Sequence, residues 1–154
     1  SLFAYYILIF FSLTPYQYTY LNALNGNFSN AHKRFENDYW AVSLKELVNQ
    51  IPNNKDLLNN KELRLAFCGA ADDNVKFYLK KIKNFQFKQV NWFTEDYDYI
   101  IMTNRVIQPN LTEKSVDANN LKNYKTCFDR FKGVDVVTVS RNGLILSTLR
   151  KKIY

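Results

Sequence analysis

The stretch LRLAFCGAADDNVKFYLKKI, residues 63–82, decides the fold class of this chain. Its first seven residues form a short apolar run that ends at a glycine, which is typical of a buried β-strand. Two aspartates follow at positions suited to capping a helix. The apolar residues after them recur at helical spacing on one face: Val75, Tyr78, Leu79 and Ile82. The stretch therefore predicts a β-strand followed directly by an amphipathic helix.

The chain after this stretch extends the pattern into a small sheet. Residues 85–92 alternate between apolar and polar side chains, and residues 96–104 form a more apolar run; both patterns favour strands. Residues 134–152, VDVVTVSRNGLILSTLRKK, contain two further strand patterns joined by Arg-Asn-Gly, a strong hairpin signal. These elements predict an α/β (α+β) fold, a small mixed β-sheet with packed helices.

A helix is also predicted before the sheet, over residues 43–51. Ser43 and Glu46 stand three residues apart and form a capping-box pattern at its start. The apolar residues behind them fall on one helical face: Leu44, Leu47, Val48 and Ile51. Pro52 follows and ends the helix.

The composition is that of one folded domain. The chain has 154 residues, of which 47% are hydrophobic, so it is too apolar to be disordered. A net charge of +7 raises the question of nucleic-acid binding, but Lys and Arg are spread along the chain without a nucleic-acid-binding motif. We therefore predict no nucleic-acid partner and a solvated basic surface, close to anionic lipid headgroups.

No complete catalytic or metal-binding motif is present in the sequence. His32 is the only histidine, and no GxSxG turn accompanies it. Neither the histidine, the cysteines nor the carboxylates cluster at ligand spacing, so no metal, cofactor or catalytic residue is predicted in this chain. Gly69 follows a strand, but Asp72 and Asp73 occupy the position where a phosphate would bind.

Cys68 and Cys127 lie far apart in sequence, and neither belongs to a CxxC motif. We expect two buried thiols that act as small hydrophobic side chains. A single disulfide is the alternative if the domain lies outside the cytoplasm.

The first residues, SLFAYYILIFFSL, carry no charge. A helix of this length is roughly 20 Å long, shorter than the roughly 30 Å hydrocarbon core of a bilayer. Pro15 and three alternating tyrosines follow, and tyrosine concentrates where hydrocarbon meets water. We therefore expect residues 1–13 to be the end of a truncated transmembrane helix, residues 14–42 to be the membrane exit and connection, and residues 43–154 to be an extracytoplasmic α/β domain. A helix buried in the core is the alternative for residues 1–13.

Two acids precede an aromatic pair in FENDYW, residues 35–40. Glu36 and Asp38 beside Tyr39 and Trp40 could hold a sugar, by hydrogen bonds to its hydroxyls and by stacking on its apolar face. The same string could equally cap a helix, with the two rings packed in the core.

Two strings together resemble the end of polytopic bacterial membrane glycosyltransferases of the GT-C type, related to dolichyl-phosphate-mannose protein mannosyltransferases and lipid A aminoarabinose transferases. PYQYTYLNAL, residues 15–24, is similar to the segment by which the last membrane helix of that family leaves the bilayer. RFENDYWAVSLKEL, residues 34–47, is similar to the family's F-E-x-D-Y-W-G string and the amphipathic helix behind it. The chain departs from the family pattern at Thr14, Leu21 and Ala41, where histidine, an aromatic residue and glycine are usual.

This resemblance implies a C-terminal extracytoplasmic module of an enzyme in the bacterial inner (plasma) membrane, with the domain on the periplasmic side. The enzyme would transfer a sugar from a polyprenyl-phosphate donor to an extracytoplasmic acceptor. The family's catalytic acid lies in an early loop that this chain lacks, so the chain alone is expected to be inactive, and the use of a divalent metal by the parent stays open. The implied partners are membrane lipid and, through the missing N-terminal region, the polyprenyl-phosphate-linked sugar.

The resemblance also implies a set of substrate-binding or domain-docking residues: Tyr16, Gln17, Asn22, Glu36, Asp38, Tyr39 and Trp40. The alternative function is a non-enzymatic, membrane-anchored interaction or assembly domain.

Overall fold

The computed structural model describes residues 2–14, 41–58, 62–105, 127–141 and 143–153. Its helices are α1 (Leu2–Leu13), α2 (Ser43–Gln50), α3 (Lys55–Leu58), α4 (Asp72–Leu79) and α5 (Cys127–Arg130), with a 3-10 turn at Ile51–Asn53. Its strands are β1 (Leu63–Cys68), β2 (Phe87–Gln89), β3 (Tyr99–Thr103), β4 (Gly133–Arg141) and β5 (Leu144–Lys152).

The five strands form one mixed sheet in the order β2-β1-β3-β5-β4. β1 pairs in parallel with β2 on one side and with β3 on the other. β5 then pairs antiparallel with β3 and with β4. The predicted mixed sheet with packed helices is confirmed, and the strand predicted over residues 85–92 is shorter, because only Phe87–Gln89 pairs with β1.

Two crossovers cover opposite faces of the sheet. The connection from β1 to β2 runs through α4 on the first face, and the connection from β2 to β3 runs through residues 90–98 on the second face. The chain moves across the sheet in opposite directions on these opposite faces, so the two crossovers have the same hand. This agrees with the strong preference for one hand in parallel connections.

The first face is covered by the amphipathic helices α2 and α4. Leu44 and Leu47 of α2, together with Val75 and Leu79 of α4, are buried against the apolar side chains of the sheet. Tyr78 and Ile82 pack at the border of the same cluster. The predicted helical face is therefore confirmed for Val75, Tyr78 and Leu79, whereas Ile82 lies beyond the end of the helix at Leu79. Burial of each large aliphatic side chain contributes about 1.5–3 kcal/mol, so this face supplies most of the hydrophobic stabilisation.

The capping box predicted for α2 is wrong. The helix begins with Ser43 as its first residue, and Val42, which stands at the N-cap position, makes no capping hydrogen bond with its side chain. Ser43 is fully buried, and Glu46 accepts a hydrogen bond from Arg141 at 2.7 Å between Nη2 and Oε2. Glu46 therefore joins α2 to the end of β4 instead of closing the helix start.

The β4–β5 hairpin is confirmed. Gly143 in the turn has φ of 78°, a left-handed conformation that glycine adopts without steric cost. The apolar run predicted as a buried strand at residues 96–104 is also confirmed, since every residue of β3 is buried.

Helix α1 presents apolar side chains to its surroundings on every side. Leu2, Phe3 and Phe11 are each more than 70% exposed, at 77%, 75% and 71%. The alternative of a core helix for residues 1–13 therefore does not hold. In the ranges that the structure describes, no helix has both the length and the hydropathy needed to cross a bilayer.

An ion pair links the first residues of β1 to the residue before β3, at the amino-terminal end of these two parallel strands. The Arg64 guanidinium donates to Asp98 at 2.6 Å between Nη2 and Oδ1, and the Arg64 backbone N–H donates to Oδ2 at 2.9 Å. The hydrogen bond from the Arg64 side chain lowers the pKa of Asp98 below its ordinary value, against a smaller opposing effect of burial. The charged form of Asp98 is therefore stabilised in the folded state.

We expect Asp98→Asn to lower the free energy of unfolding by about 1 kcal/mol at neutral pH, since the pair is partly exposed and solvent screens it. The pKa of Asp98 is lower in the folded state, so its contribution is present above roughly pH 4 and is lost as the pH falls through the folded-state pKa. Urea unfolding of both proteins from about pH 7 to about pH 2 should show the gap close in acid. Asp73→Asn is the control, since the Asp73 side chain is 99% exposed. A gap that persists in acid would contradict this assignment.

Candidate functional site

The site residues predicted from the family resemblance lie outside the described residues. Tyr16, Gln17 and Asn22 fall in residues 15–40, as do the remaining four: Glu36, Asp38, Tyr39 and Trp40. His32 falls in the same range. Their roles stay predictions, and the geometry below concerns other residues.

A disulfide joins Cys68 at the end of β1 to Cys127 at the start of α5, across 59 residues of sequence. The favoured expectation of two buried thiols is therefore wrong, and the alternative of a single disulfide holds. Both residues are buried on the second face of the sheet, and their Cα atoms are 5.9 Å apart, a separation that a disulfide spans readily.

Arg150 of β5 holds the other end of α5. Its Nη1 donates to the carbonyl oxygens of Phe128, at 2.9 Å, and of Phe131. Its Nε donates to Asp135 Oδ1 at 2.6 Å. A helix of four residues is too short to be stable alone. The disulfide at its start and Arg150 at its end therefore fix the position of α5.

This fixed helix places Arg130 over two aromatic rings of the crossover that follows β2. The guanidinium carbon of Arg130 lies 4.4 Å from the centroid of the Trp92 ring and 5.3 Å from that of Phe93. The Trp92 and Phe93 rings stack with centroids 3.4 Å apart and planes at 25°. We call Trp92, Phe93 and Arg130 the Arg130 platform.

Two buried rings support the platform from below. Phe131 meets the Trp92 ring edge-on, with centroids 5.0 Å apart and planes at 84°. Tyr97 packs edge-on against Phe131 at 6.1 Å. Both supporting side chains are buried, whereas the Phe93 side chain is 58% exposed. The platform thus rests on the core of the second face and presents an apolar ring and a cation at the surface.

The chemistry of the platform suits a partner that has both an anionic and an apolar part. A guanidinium offers several N–H donors to a phosphate or carboxylate and stacks on aromatic planes. An exposed phenyl ring beside it gives an apolar contact. The sequence alone does not reveal this site, because Trp92 and Arg130 lie far apart in the chain and no local pattern connects them. The two cysteines were the available signal, since pairing them brings α5 to the end of β1.

The carboxyl ends of β1 and β3 are the other place where a ligand would be expected. In open α/β sheets, ligands bind outside the carboxyl ends of the strands where the chain reverses its direction across the sheet. Here Gly69 has φ of +81°, and a Cβ on it would lie 2.7 Å from Thr103 Oγ1 and 3.1 Å from Cys127 Sγ. Thr103 Oγ1 also donates to the Gly69 carbonyl oxygen at 2.6 Å. The end of β1 therefore packs closely against the end of β3 and against the disulfide.

Metal ligands are not grouped in the described ranges. Across residues 2–14, 41–58, 62–105, 127–141 and 143–153, no three His, Cys, Asp or Glu side chains are close enough to hold one ion.

Comparison of the chain with protein-family models, curated proteins and solved structures finds no match. Any assignment of function therefore depends on the residues and the geometry of this chain.

We expect the double variant Cys68→Ala/Cys127→Ala to have a free energy of unfolding about 3–5 kcal/mol lower than that of the parent. This is the range for a disulfide that closes a loop of this length. A chemical denaturation curve with and without a thiol reductant measures the loss. Reductant should shift the parent curve and leave the curve of the double variant unchanged. If reductant leaves the parent midpoint in place, the disulfide does not stabilise the domain.

We expect Gly69→Ala to destabilise the domain more than Gly143→Ala. Both glycines have positive φ, at 81° and 78°, so alanine brings a similar backbone strain of about 1 kcal/mol to each. A Cβ at Gly143 meets no atom within 4 Å, whereas at Gly69 it meets Thr103 and the disulfide. Comparing the two midpoints of unfolding isolates the cost of crowding, and equal losses would contradict the close packing around Gly69.

Proposed function

We propose that this chain is the C-terminal extracytoplasmic module of a bacterial membrane glycosyltransferase. The enzyme transfers a sugar from a polyprenyl-phosphate donor to an acceptor on the outer side of the inner membrane. Helix α1 anchors the module in lipid as the end of a membrane helix, and the α/β domain lies on the periplasmic side. The catalytic acid belongs to another part of the enzyme.

The observation that carries this proposal is the exposed apolar surface of α1. Its twelve residues contain no charged side chain. Exposed large side chains occupy all directions around the helix, among them Leu2, Phe3, Tyr6, Ile7 and Leu8. A helix that is apolar on every side is normally buried, either in the core of a large protein or in a membrane. Because these side chains are exposed here, we infer that lipid surrounds them.

The polar side chains at the end of α1 also fit an apolar environment. Ser12 Oγ donates to the carbonyl oxygen of Ile9 at 2.9 Å, and Thr14 Oγ1 donates to that of Phe10 at 2.9 Å. These hydroxyls are therefore hydrogen-bonded to the backbone of the same helix. Such bonds satisfy polar groups where water is excluded.

The disulfide supports a location outside the cytoplasm. Disulfides persist in the periplasm and on cell surfaces and are rare in a reducing cytosol. The Cys68–Cys127 bond lies in the core of the second face, so the folded domain incorporates it as a structural element.

The resemblance of residues 15–24 and 34–47 supports the choice of a sugar transferase over other membrane proteins. In this proposal the seven predicted residues, from Tyr16 to Trp40, hold the domain against the membrane part of the enzyme or line the acceptor entrance. The net charge is compatible with an outside location, because the positive-inside bias is set by short loops and not by whole domains.

We expect Asp38→Ala and Trp40→Ala to lower sugar transfer by about tenfold or more, which corresponds to about 1.4 kcal/mol of lost transition-state stabilisation. The assay uses membranes that contain the polypeptide encoded by the whole gene, including any segment upstream of Ser1, with a radiolabelled polyprenyl-phosphate sugar. Asp73→Ala is the control for Asp38→Ala, since its side chain is 99% exposed and lies outside both strings.

Unchanged transfer in variants that retain normal stability would remove Asp38 and Trp40 from the function. Membrane association without transfer of any polyprenyl-phosphate sugar would favour the alternative, a membrane-anchored interaction or assembly domain.

A further inference from the structure

We propose that the sheet edge formed by residues 74–94 binds the headgroups of anionic phospholipids. This proposal rests on the proposed function in one respect, since α1 brings the domain to a membrane surface. We call these residues the β2 edge, because they comprise most of α4, the edge strand β2 and the start of the crossover behind it.

The β2 edge carries an excess of lysines. Residues 74–94 contain five lysines, Lys76, Lys80, Lys81, Lys83 and Lys88, and no acidic residue. The exposed carboxylates next to them are Asp72, which accepts a hydrogen bond from Gln89 of β2, and Asp73 and Glu95. Lys76 lies 3.9 Å from Asp73, at the limit of an ion pair. The other four lysines are exposed, and none of them pairs with a carboxylate in the described part of the chain. Their charge is available to an external anion.

The topology concentrates these lysines at one margin of the domain. In the part of the chain that the structure describes, β2 has one strand neighbour, β1, and pairs with it through three residues, Phe87–Gln89. Helix α4 leads into this strand from the first face, and the crossover leaves it on the second face. Side chains from all three elements therefore meet at the same edge of the sheet.

Exposed aromatic rings lie among the lysines. Phe77 on α4 and Phe93 in the crossover are each 58% exposed. Lys81 Nζ lies 3.9 Å from the centroid of the Phe77 ring, and the Arg130 guanidinium carbon lies 5.3 Å from that of Phe93. Each exposed ring thus has a cation at its face.

This pairing matches the boundary between headgroups and acyl chains. A phenyl ring inserts into the apolar side of the boundary, while the cation beside it reaches a lipid phosphate. Each basic residue near an anionic bilayer adds to the electrostatic attraction between the domain and the lipid surface. The Arg130 platform forms one end of this surface. A phospholipid offers both the anionic part and the apolar part that a partner of this platform needs.

A short edge strand with a lysine also resists pairing with other chains. Lys88 on β2 can protect the edge strand in this way. Phe77 and Phe93 lie outside the strand, so their exposure does not protect it. RNA would satisfy the lysines as well, but the exposed apolar helix α1 brings the same domain to a lipid surface. The observations therefore favour a lipid surface.

The test uses the full chain with Trp40→Phe, which leaves Trp92 as the single tryptophan. The protein is reconstituted with vesicles of phosphatidylcholine alone or with phosphatidylglycerol added, each containing a headgroup spin label that quenches tryptophan. We expect Trp92 to be quenched in the anionic vesicles and much less in the neutral ones. Flotation of the same samples measures anchoring by α1 separately.

The matched variants carry equal changes of charge. Lys81→Glu/Lys88→Glu should reduce quenching in anionic vesicles to the level seen in neutral ones. Lys45→Glu/Lys151→Glu, at two exposed lysines on α2 and β5, should leave it unchanged. Phe77→Ala, which leaves the surroundings of the Trp92 probe unchanged, should weaken quenching while the net charge stays constant.

Three results would overturn the proposal. Flotation with both vesicle types without Trp92 quenching would overturn it and leave the anchoring role of α1 intact. Equal effects of the two lysine pairs would show a general charge effect and not a site. Binding of a single-stranded RNA oligonucleotide that is lost in Lys81→Glu/Lys88→Glu, with no response to phosphatidylglycerol, would replace lipid by nucleic acid. Failure to float with neutral vesicles, combined with quenching in anionic ones, would support the β2 edge and count against α1 as an anchor.

Discussion

The strands β1 and β3 have side chains buried on both sides of the sheet. Both faces must therefore be covered by other parts of the chain, and this requirement determines where the remaining elements pack. Helices α2 and α4 cover the first face with apolar side chains at helical spacing. The second face lacks such helices among the described residues and is covered by the crossover after β2 and by the short helix α5. The two faces are therefore stabilised in different ways, one by local amphipathic helices and the other by contacts between distant parts of the chain.

This difference explains how much of the fold could be predicted from the sequence. The first face follows from local patterns, since the apolar run of β1, the spacing of Val75 and Leu79, and the Arg-Asn-Gly turn each specify their own element. The second face depends on the pairing of Cys68 with Cys127 and on Arg150 reaching the carbonyl groups of α5. No local pattern encodes such contacts. The capping box failed for a related reason, because Ser43 is drawn into the core and Glu46 pairs with Arg141.

The same distinction applies to the candidate sites. The residues chosen by resemblance, from Tyr16 to Trp40, lie outside the described residues and rest on the sequence strings. The Arg130 platform combines residues from two separate segments and became visible only in three dimensions. The β2 edge lies between these cases. Its lysines can be read from the sequence, but only the structure shows that they lie at one margin of the sheet together with two exposed rings. In our two proposals, α1 and the β2 edge are different means of contact with lipid, one apolar and one electrostatic.

The location of the disulfide has a consequence for the two faces of the sheet. The apolar cluster of the first face contains neither cysteine, whereas the cluster of the second face contains both. Oxidation of the two thiols therefore joins residues of the second cluster only, and the side chains of the first cluster pack without taking part in it. If the domain lies outside the cytoplasm, as we propose, the redox state of that compartment acts on one face of the sheet and not on the other.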